Sequence, residues 1–316
     1  MIPDAEIGRL RRKLSYITRD WPKAPSGELK GGSLDAGHLT ALVEQLFVRD
    51  ALLYAAAIDM ARENDEGLKN HKHEQCERIT RYLTPEHHKN LVAQIWALRR
   101  TLEAMPVQLY VQSVLMNELT AIVVELTAMY FSQRRPRELG NFRWTIDAKD
   151  PRRITTQEKW WRDTLGPLQE SRSSRKPLWR VNDHQFNYSF FDKAYEFEKM
   201  KWYPGRPREL VKGYDIRKII SDHISFKDSR SDILLQSVDI LTNFLRRLLM
   251  GRISDPAVAH ILGRLQICRR RDNVYQSIEL LALTGGDQTG YGNLTKSLKQ
   301  MSLAGRSMIR NRRERP

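Results

Sequence analysis

Residues 224–250, ISFKDSRSDILLQSVDILTNFLRRLLM, decide how the rest of the chain is read. Ile224, Ser225 and Phe226 alternate apolar and polar, as a half-buried strand does. Asp228-Ser229 with Asp232 supply the side-chain oxygens that open a helix. That helix is expected to run to about Met250. Its apolar positions, Ile233, Leu234, Val238, Leu241, Leu245, Leu248 and Leu249, recur at spacings of three and four and predict one core-facing stripe. Asp239 falls inside that block, well past the dipole-favoured first turn and with no basic residue one turn before it. A carboxylate at the edge of an apolar stripe is costly to desolvate unless a cation, a metal ion or hydrogen bonds compensate it. Asp239 therefore reads as a ligand-holding group, or as a boundary residue half in water or paired with an arginine from elsewhere.

The chain has 316 residues, 41% of them hydrophobic, enough for one large domain or two small ones with a real core. No run of about 18 apolar residues occurs, and the start MIPDAEIGRLRRK lacks the apolar stretch of a signal peptide. A soluble, cytoplasmic protein without a membrane partner is expected. Cys76 and Cys268 lie far apart and outside any CxxC context, which argues against a disulfide framework or a thiolate zinc site. The 53 Lys and Arg against 38 Asp and Glu leave a formal charge of +15, a field that attracts polyanions. Nucleic acid is the expected partner. The basic residues cluster at Arg9–Lys13, Arg134–Arg137, Arg269–Arg271 and Arg306–Arg315.

Residues 3–18 predict a helix, with Pro3 and Asp4 as start signals and Ile7, Leu10, Leu14 and Ile17 on one face. In the loop that follows, Gly27, Gly31 and Gly32 surround Glu28-Leu29-Lys30; such backbone permits a close approach by a ligand, or simply a tight turn. A helix over about 35–48 leads into ALLYAAAIDM, 51–60, which reads as a strand buried on both faces, with helix left open by its four alanines. Asp59 then stands at the C-terminal end of that strand, where open α/β sheets place their sites. Residues 62–88 hold His71, His73, Cys76, His87 and His88 in spacings that match no zinc pattern, so solvated helix surface is expected there. A helical block over 86–132, broken near Pro106, carries Met105, Met116 and Met129 as packing residues and Glu118 and Glu125 as a solvated or ion-paired stripe.

Phe142, Trp144 and Ile146 alternate in a strand that ends at Asp147. Residues 150–210 read as an irregular insertion, with Trp160, Trp161, Trp179, Phe190, Phe191 and Trp202 among cations. Its packing is the favoured reading and base stacking the other. Helices are expected over about 254–271 and 272–283, followed by TGGDQTGYGN and a basic tail.

Two strands ending in aspartate, a glycine-flanked Glu-Leu-Lys-Gly and a late helix bearing Asp239 form a set of carboxylates of the kind that holds Mg²⁺ or Mn²⁺ for phosphodiester cleavage. Taken in order, Ile2-Pro3 with its helix, Glu28-Leu29-Lys30-Gly31, Ile58-Asp59, Ile146-Asp147, and Ser225-Phe226-Lys227-Asp228-Ser229 with Leu235-Gln236-Ser237-Val238-Asp239 resemble the domain of unknown function 3800 family. The resemblance covers about residues 1–250. It implies a ribonuclease H-like mixed sheet flanked by helices and a metal-dependent nuclease or a relative of one. It further implies Asp59, Asp147 and Asp239 as ligands of Mg²⁺ or Mn²⁺, Glu28 as an added ligand or base, and Lys30 as a phosphate contact.

The family pattern opens with a strand bearing Asp-Glu-Ser-Gly and a second strand, which this chain does not contain. An N-terminally truncated, degenerate member, or a start codon internal to a longer frame, is expected, and loss of the first-strand aspartate is expected to disable two-metal chemistry. The expected layout is an α/β domain over 1–250, with a helical insertion at about 62–135 and the irregular one at about 150–210, then a helical basic extension over 251–316. Metal-dependent hydrolysis of nucleic acid is the leading functional expectation. A non-catalytic protein that binds nucleic acid, or serves protein interaction, is the competing one. No nucleophile elbow or Cys-His pair supports a small-molecule hydrolase.

Overall fold

The computed structural model describes residues 1–150, 152–175, 178, 180–201, 209–271, 274–276, 278–285 and 292–310. The chain begins with α1 (Asp4–Ile17) and α2 (Ala36–Phe47), followed by β1 (Ala56–Ile58), α3 (Asp65–Thr80), α4 (Lys89–Ala104) and α5 (Val107–Arg134). Next come β2 (Trp144–Asp147), α6 (Thr156–Asp163), α7 (Leu165–Arg175), α8 (Ser189–Tyr195), β3 (Glu196–Lys201) and β4 (Glu209–Tyr214). It continues through α9 (Ile216–Ser221), β5 (Ile224–Lys227), α10 (Ile233–Leu249) and α11 (Pro256–Gly263). It closes with β6 (Ile267–Arg271), β7 (Val274–Gln276), β8 (Glu279–Leu281), α12 (Gly292–Ala304) and β9 (Arg306–Ser307). The class is mixed helix and strand. Among the described residues the strands form separate sheets of two or three strands, with orders β1-β8, β2-β5, β3-β4 and β7-β6-β9.

The residues divide into two compact units, one made of Met1–Tyr54, Ala121–Ser277 and Asn293–Pro316, the other of Ala55–Thr120 and Ile278–Gly292. In the first unit, α1 opens behind Pro3 with Asp4 and Glu6 in its first turn, which suits the helix dipole. Its Leu10 and Leu14 are fully buried as α1 packs on α2 and α10. Asp35 caps α2 in a reciprocal box with His38, and Leu39, Leu42, Val43 and Leu46 face inward. Strands β2 and β5 run parallel, with Trp144 opposite Ile224 and Asp147 opposite Lys227. This register sets the end of β2 beside the turn that leads into α10.

The organising stretch folds largely as its pattern predicts, with a short 3-10 turn at Ser229–Ser231 and Asp232 accepting from the Leu234 amide as the cap of α10. The buried face is rotated from the predicted stripe. Ile240, Leu241, Phe244, Leu245 and Leu248 are buried, whereas Val238 is 55% exposed and Asp239 is also on the solvent side. The helix presents its inward face to α1, α2 and α11, and Val238 lies off the line that this contact follows.

A second buried centre lies in residues expected to be irregular. Instead, 150–210 contain α6, α7, α8, β3 and the start of β4. Trp160, Trp161 and Phe191 are buried, while Phe190 is exposed; Trp179 and Trp202 lie outside the described residues. Thr155 and Glu158 form a capping box that starts α6, and Glu158 also accepts from the Lys149 amide at 3.0 Å. Aromatic packing, the favoured reading of this segment, accounts for its described tryptophans.

The 254–283 region departs from the expected pair of helices. Helix α11 ends at Gly263, and strands β6, β7 and β8 follow. Two of them have remote partners, Ile267 pairing with Arg306 and Glu279 with Ala56, while β7 pairs antiparallel with its neighbour β6. Long-range pairing decides β6 and β8 over local pattern.

In the second unit, β1 and β8 form a parallel pair and α3 packs on α4. The strand is shorter than 51–60, and Ala56–Ile58 are half-buried, not enclosed on both faces. Glu63 accepts from the amides of Leu283 at 3.0 Å and Thr284 at 2.9 Å, fastening the segment after β1 to the segment after β8. The histidine-rich segment is less solvated than expected. His71 is half-buried with its Nδ1 2.7 Å from the Tyr110 hydroxyl, burial lowers its pKa, and Cys76 is buried. His73, His87 and His88 are exposed as anticipated. Pro106 does separate α4 from α5. By length and composition α5 is apolar enough to cross a membrane, a test that the core helix of a soluble protein also passes, and half of its apolar window is buried.

Candidate functional site

Three segments of the first unit converge on Ser229. The first is the glycine loop. Gly27, with φ at +83°, closes a turn in which its amide donates to the Ala24 carbonyl at 2.8 Å and the Ala24 amide to the Glu28 carbonyl at 2.8 Å. The turn sends Glu28 and Leu29 inward, where they are 8% and 2% exposed. The second segment is the turn after β5, held by Asp228 as it accepts from the Arg230 amide at 3.0 Å. The third is the end of β2.

Glu28 Oε2 accepts from Ser26 Oγ at 2.9 Å and lies 3.2 Å from Lys30 Nζ, while Oε1 accepts from Ser229 Oγ at 3.0 Å. The Ser26 hydrogen bond, with those of Lys30 and Ser229, outweighs burial and holds Glu28 below its ordinary carboxylate pKa. The backbone amide of Ser229 donates to Asp147 Oδ1 at 3.2 Å. Two sequence-predicted residues, Glu28 and Asp147, are thus joined through one serine, and Lys30 sits against the first of them.

Gln236 stitches the same place from α10. Its Nε2 donates to the carbonyls of Ser229 at 2.8 Å and Arg230 at 3.2 Å, and its Oε1 accepts from the Leu29 amide at 3.2 Å. Gly31 makes the closeness possible, since a Cβ there would stand 2.6 Å from Asn243 Cβ and 3.1 Å from Ile240 Cα. The close approach expected of the glycine loop is therefore made to a helix. Beside it, buried Asp232 takes Arg11 Nη2 at 2.7 Å and has Lys227 Nζ at 3.9 Å. Arg11 Nε finds no partner among the described residues.

The other two predicted ligands have different surroundings. Asp239 is exposed and takes no hydrogen bond or ion pair among the described residues, which corrects the reading of a half-buried carboxylate that needs compensation. The rotation of α10 about its core face is the reason. Asp59 belongs to the second unit, at the C-terminal end of β1 as predicted. It is exposed there, accepts from the Ala61 amide at 3.1 Å and has Arg62 Nε at 3.7 Å.

Divalent cations of the Mg²⁺ type want several free oxygens in near-octahedral array. Both Glu28 oxygens and one Asp147 oxygen already accept internal hydrogen bonds. Among the described residues no group of three or more Asp, Glu, His or Cys side chains is placed to hold a metal ion. In this arrangement a divalent ion would have to displace the Ser26, Lys30 and Ser229 contacts of Glu28 and the Ser229 amide from Asp147.

In the sequence Ser229 and Asp232 stand out only as helix-opening residues, Gln236 only within a motif, and Arg11 not as a site residue; their part in this cluster is seen in the structure. A glutamine and a serine, Gln236 and Ser237, inside an otherwise apolar helix face were the available signal. Both are buried; Ser237 simply donates to the Ile233 carbonyl of its own helix at 2.7 Å.

The cations also sort themselves. Of the basic clusters, Arg134 donates to the carbonyls of Met308 and Ser307, and Arg135 and Arg306 pair with Asp50 at 3.2 and 2.8 Å. Those arginines serve the fold. Side chains of Arg269–Arg271 and residues 311–316 lie outside the described residues. On α1 the exposed cations Arg12 and Lys13 have no carboxylate partner among the described residues.

Comparison with protein-family models, with curated proteins and with solved structures finds no match.

Proposed function

We propose that this chain is a nucleic-acid-binding protein of ribonuclease H-like build, and that the Glu28–Ser229–Asp147 cluster fastens three of its segments together. One observation carries the reading: the carboxylates that are drawn into the fold are neutralised there, and the charge left on the exposed side chains is net positive even though some carboxylates, such as Asp239, are also exposed. Glu28, Asp50, Glu158 and Asp232 are each engaged in ion pairs or hydrogen bonds within the fold. Arg12, Lys13, Lys23, Arg152, Arg246 and Arg252 are exposed and have no carboxylate partner among the described residues, on a chain of net charge +15. Such cations meet phosphates and release condensed counterions, so affinity falls steeply with salt.

A second reading, Mg²⁺- or Mn²⁺-dependent phosphodiester hydrolysis, is favoured by the shared serine that joins Glu28 to Asp147. In it those two carboxylates are the acidic centre and Lys30 steadies a phosphate.

Fluorescence anisotropy with a labelled oligonucleotide separates the two. The binding reading expects salt-sensitive binding that EDTA leaves unchanged, and no cleavage in either metal. Cleavage in Mn²⁺ or Mg²⁺ that Glu28→Gln and Asp147→Asn abolish establishes the hydrolytic reading instead. Absence of salt-sensitive binding rejects the first.

A further inference from the structure

The exposed side of α1 has a composition that its packing does not require. Leu10 and Leu14 fill the buried side, and Arg11 leans over to Asp232. The opposite side carries Arg9, Arg12, Lys13 and Tyr16 at helical spacing, continued by Arg19 in the turn beyond. Arg9 lies 4.0 Å from Glu6, at the limit of an ion pair, while Glu6 is also 3.6 Å from Arg135. Among the described residues Arg12, Lys13 and Arg19 have no carboxylate partner.

The second observation is Tyr16. It is 67% exposed, a large aromatic ring on a helix whose core positions are already filled by leucine. Lys13 Nζ lies 5.4 Å from the ring centroid and Arg19 Cζ 5.9 Å from it. Both cations stand over the exposed ring at the long end of a cation–π contact, so a base that stacks on Tyr16 takes the place of one of them while that cation turns to the flanking phosphate. From Arg9 to Tyr16 the helix rises about 10 Å, the length of about three nucleotides of a stacked strand at roughly 3.4 Å each.

We propose that this face of α1 is a docking surface for single-stranded nucleic acid, with Tyr16 stacking on a base and Arg9, Arg12, Lys13 and Arg19 contacting phosphates. The occupant follows from charge and chemistry together. A duplex hides its base faces from Tyr16, and a membrane surface or acidic protein offers no base to stack. The inference rests on the nucleic-acid-binding reading above and says where that binding occurs.

The test is anisotropy with the full chain in EDTA, using a fluorescein-labelled 20-nucleotide single strand of mixed sequence and a hairpin duplex over a series of salt concentrations. Tyr16→Ala is expected to weaken single-strand binding about 5- to 150-fold, the range of one lost base stack, with the salt slope unchanged. The double variant Arg12→Gln/Lys13→Gln is expected to reduce the slope of log K against log salt by about 1.4, at ~0.7 per lost phosphate contact. The control is the charge-matched Lys69→Gln/Arg81→Gln, at exposed positions of the second unit, expected to leave the slope unchanged. Circular dichroism melts verify that each variant is folded.

If wild type binds but the α1 variants behave as the control does, this proposal fails and the binding reading stands. Equal affinity for duplex with no effect of Tyr16→Ala also overturns it. So does capture by phosphatidylserine vesicles at protein concentrations where no oligonucleotide binds. Loss of all oligonucleotide binding by wild type sinks both readings.

Discussion

The hydroxyl of Ser229 donates to Glu28 Oε1 at 3.0 Å across 201 residues of sequence. The same residue's amide holds Asp147, so one serine closes a loop, a strand end and a helix entry. Ser229→Ala removes a hydrogen bond to a charged acceptor and is expected to cost about 1–2 kcal/mol. Urea denaturation at neutral pH measures it; a change below a few tenths would mean that water replaces the hydroxyl without loss.

Glu28 makes that fastening pH-dependent. Its hydrogen bonds to Ser26, Lys30 and Ser229 lower its folded-state pKa below the ordinary 4.5. As pH falls, the unfolded chain takes up the proton first. The stabilisation is therefore complete above about 4.5 and is lost as pH drops through the lowered folded value. Glu28→Gln should lie below wild type in denaturation midpoint at pH 7, and the gap should narrow towards pH 3. A gap that stays constant with pH would show that lost packing, not charge, sets the difference.

Much of this arrangement was legible in the sequence and part of it was not, for reasons that can be located. Helix α1 and the entry to α10 are local events: Leu10 and Leu14 repeat one turn apart, and Asp228 and Asp232 cap their own neighbours. The face of α10 is not local. Val238 fits the three-four spacing from Leu234 and Leu241, yet the packing of Ile240 and Phe244 turns it outward. Strands β6 and β8 pair with residues 306–307 and 56–58, partners that a window of sequence does not contain. The meeting of Leu29 with Gln236 is of the same kind. Each half of the cluster was recognisable, but Ser229 and Gln236 gain their roles only when the chain brings the halves together. Asp239 was singled out by position in a pattern, and its solvent exposure is decided by neighbours the pattern omits.

Asp50 is a second fastening of the first unit. It follows α2 with φ at +59°, a conformation that Asp and Asn tolerate better than most residues. Its Oδ1 accepts from Tyr130 at 3.0 Å and Arg306 at 2.8 Å, and its Oδ2 from Arg135 at 3.2 Å. Asp50→Ala leaves two arginines without their partner. The loss is expected at about 2–3 kcal/mol, below that of a fully buried pair because solvent reaches the carboxylate. Asp50→Asn keeps the backbone preference and an acceptor and should cost less. Thermal and urea melts of both variants check the order, and an Asn variant as unstable as Ala would locate the whole effect in charge.

The neighbouring glycines of the 27–32 loop make a paired prediction. At Gly31 a methyl group meets Asn243 and the backbone of Ile240, and both belong to the helix that carries Gln236. At Gly32 an added Cβ meets nothing within 4 Å. Gly31→Ala must push the loop off α10 or shift the helix, at a cost of about 1–3 kcal/mol as in other overpacked contacts. Gly32→Ala is expected to stay within about 0.5 kcal/mol of wild type. Because the Gly31 clash also strains the Leu29–Gln236 hydrogen bond, hydrogen exchange at the Leu29 amide should speed up in Gly31→Ala and remain unchanged in Gly32→Ala. Equal behaviour of the two variants would contradict the close approach of the loop to α10.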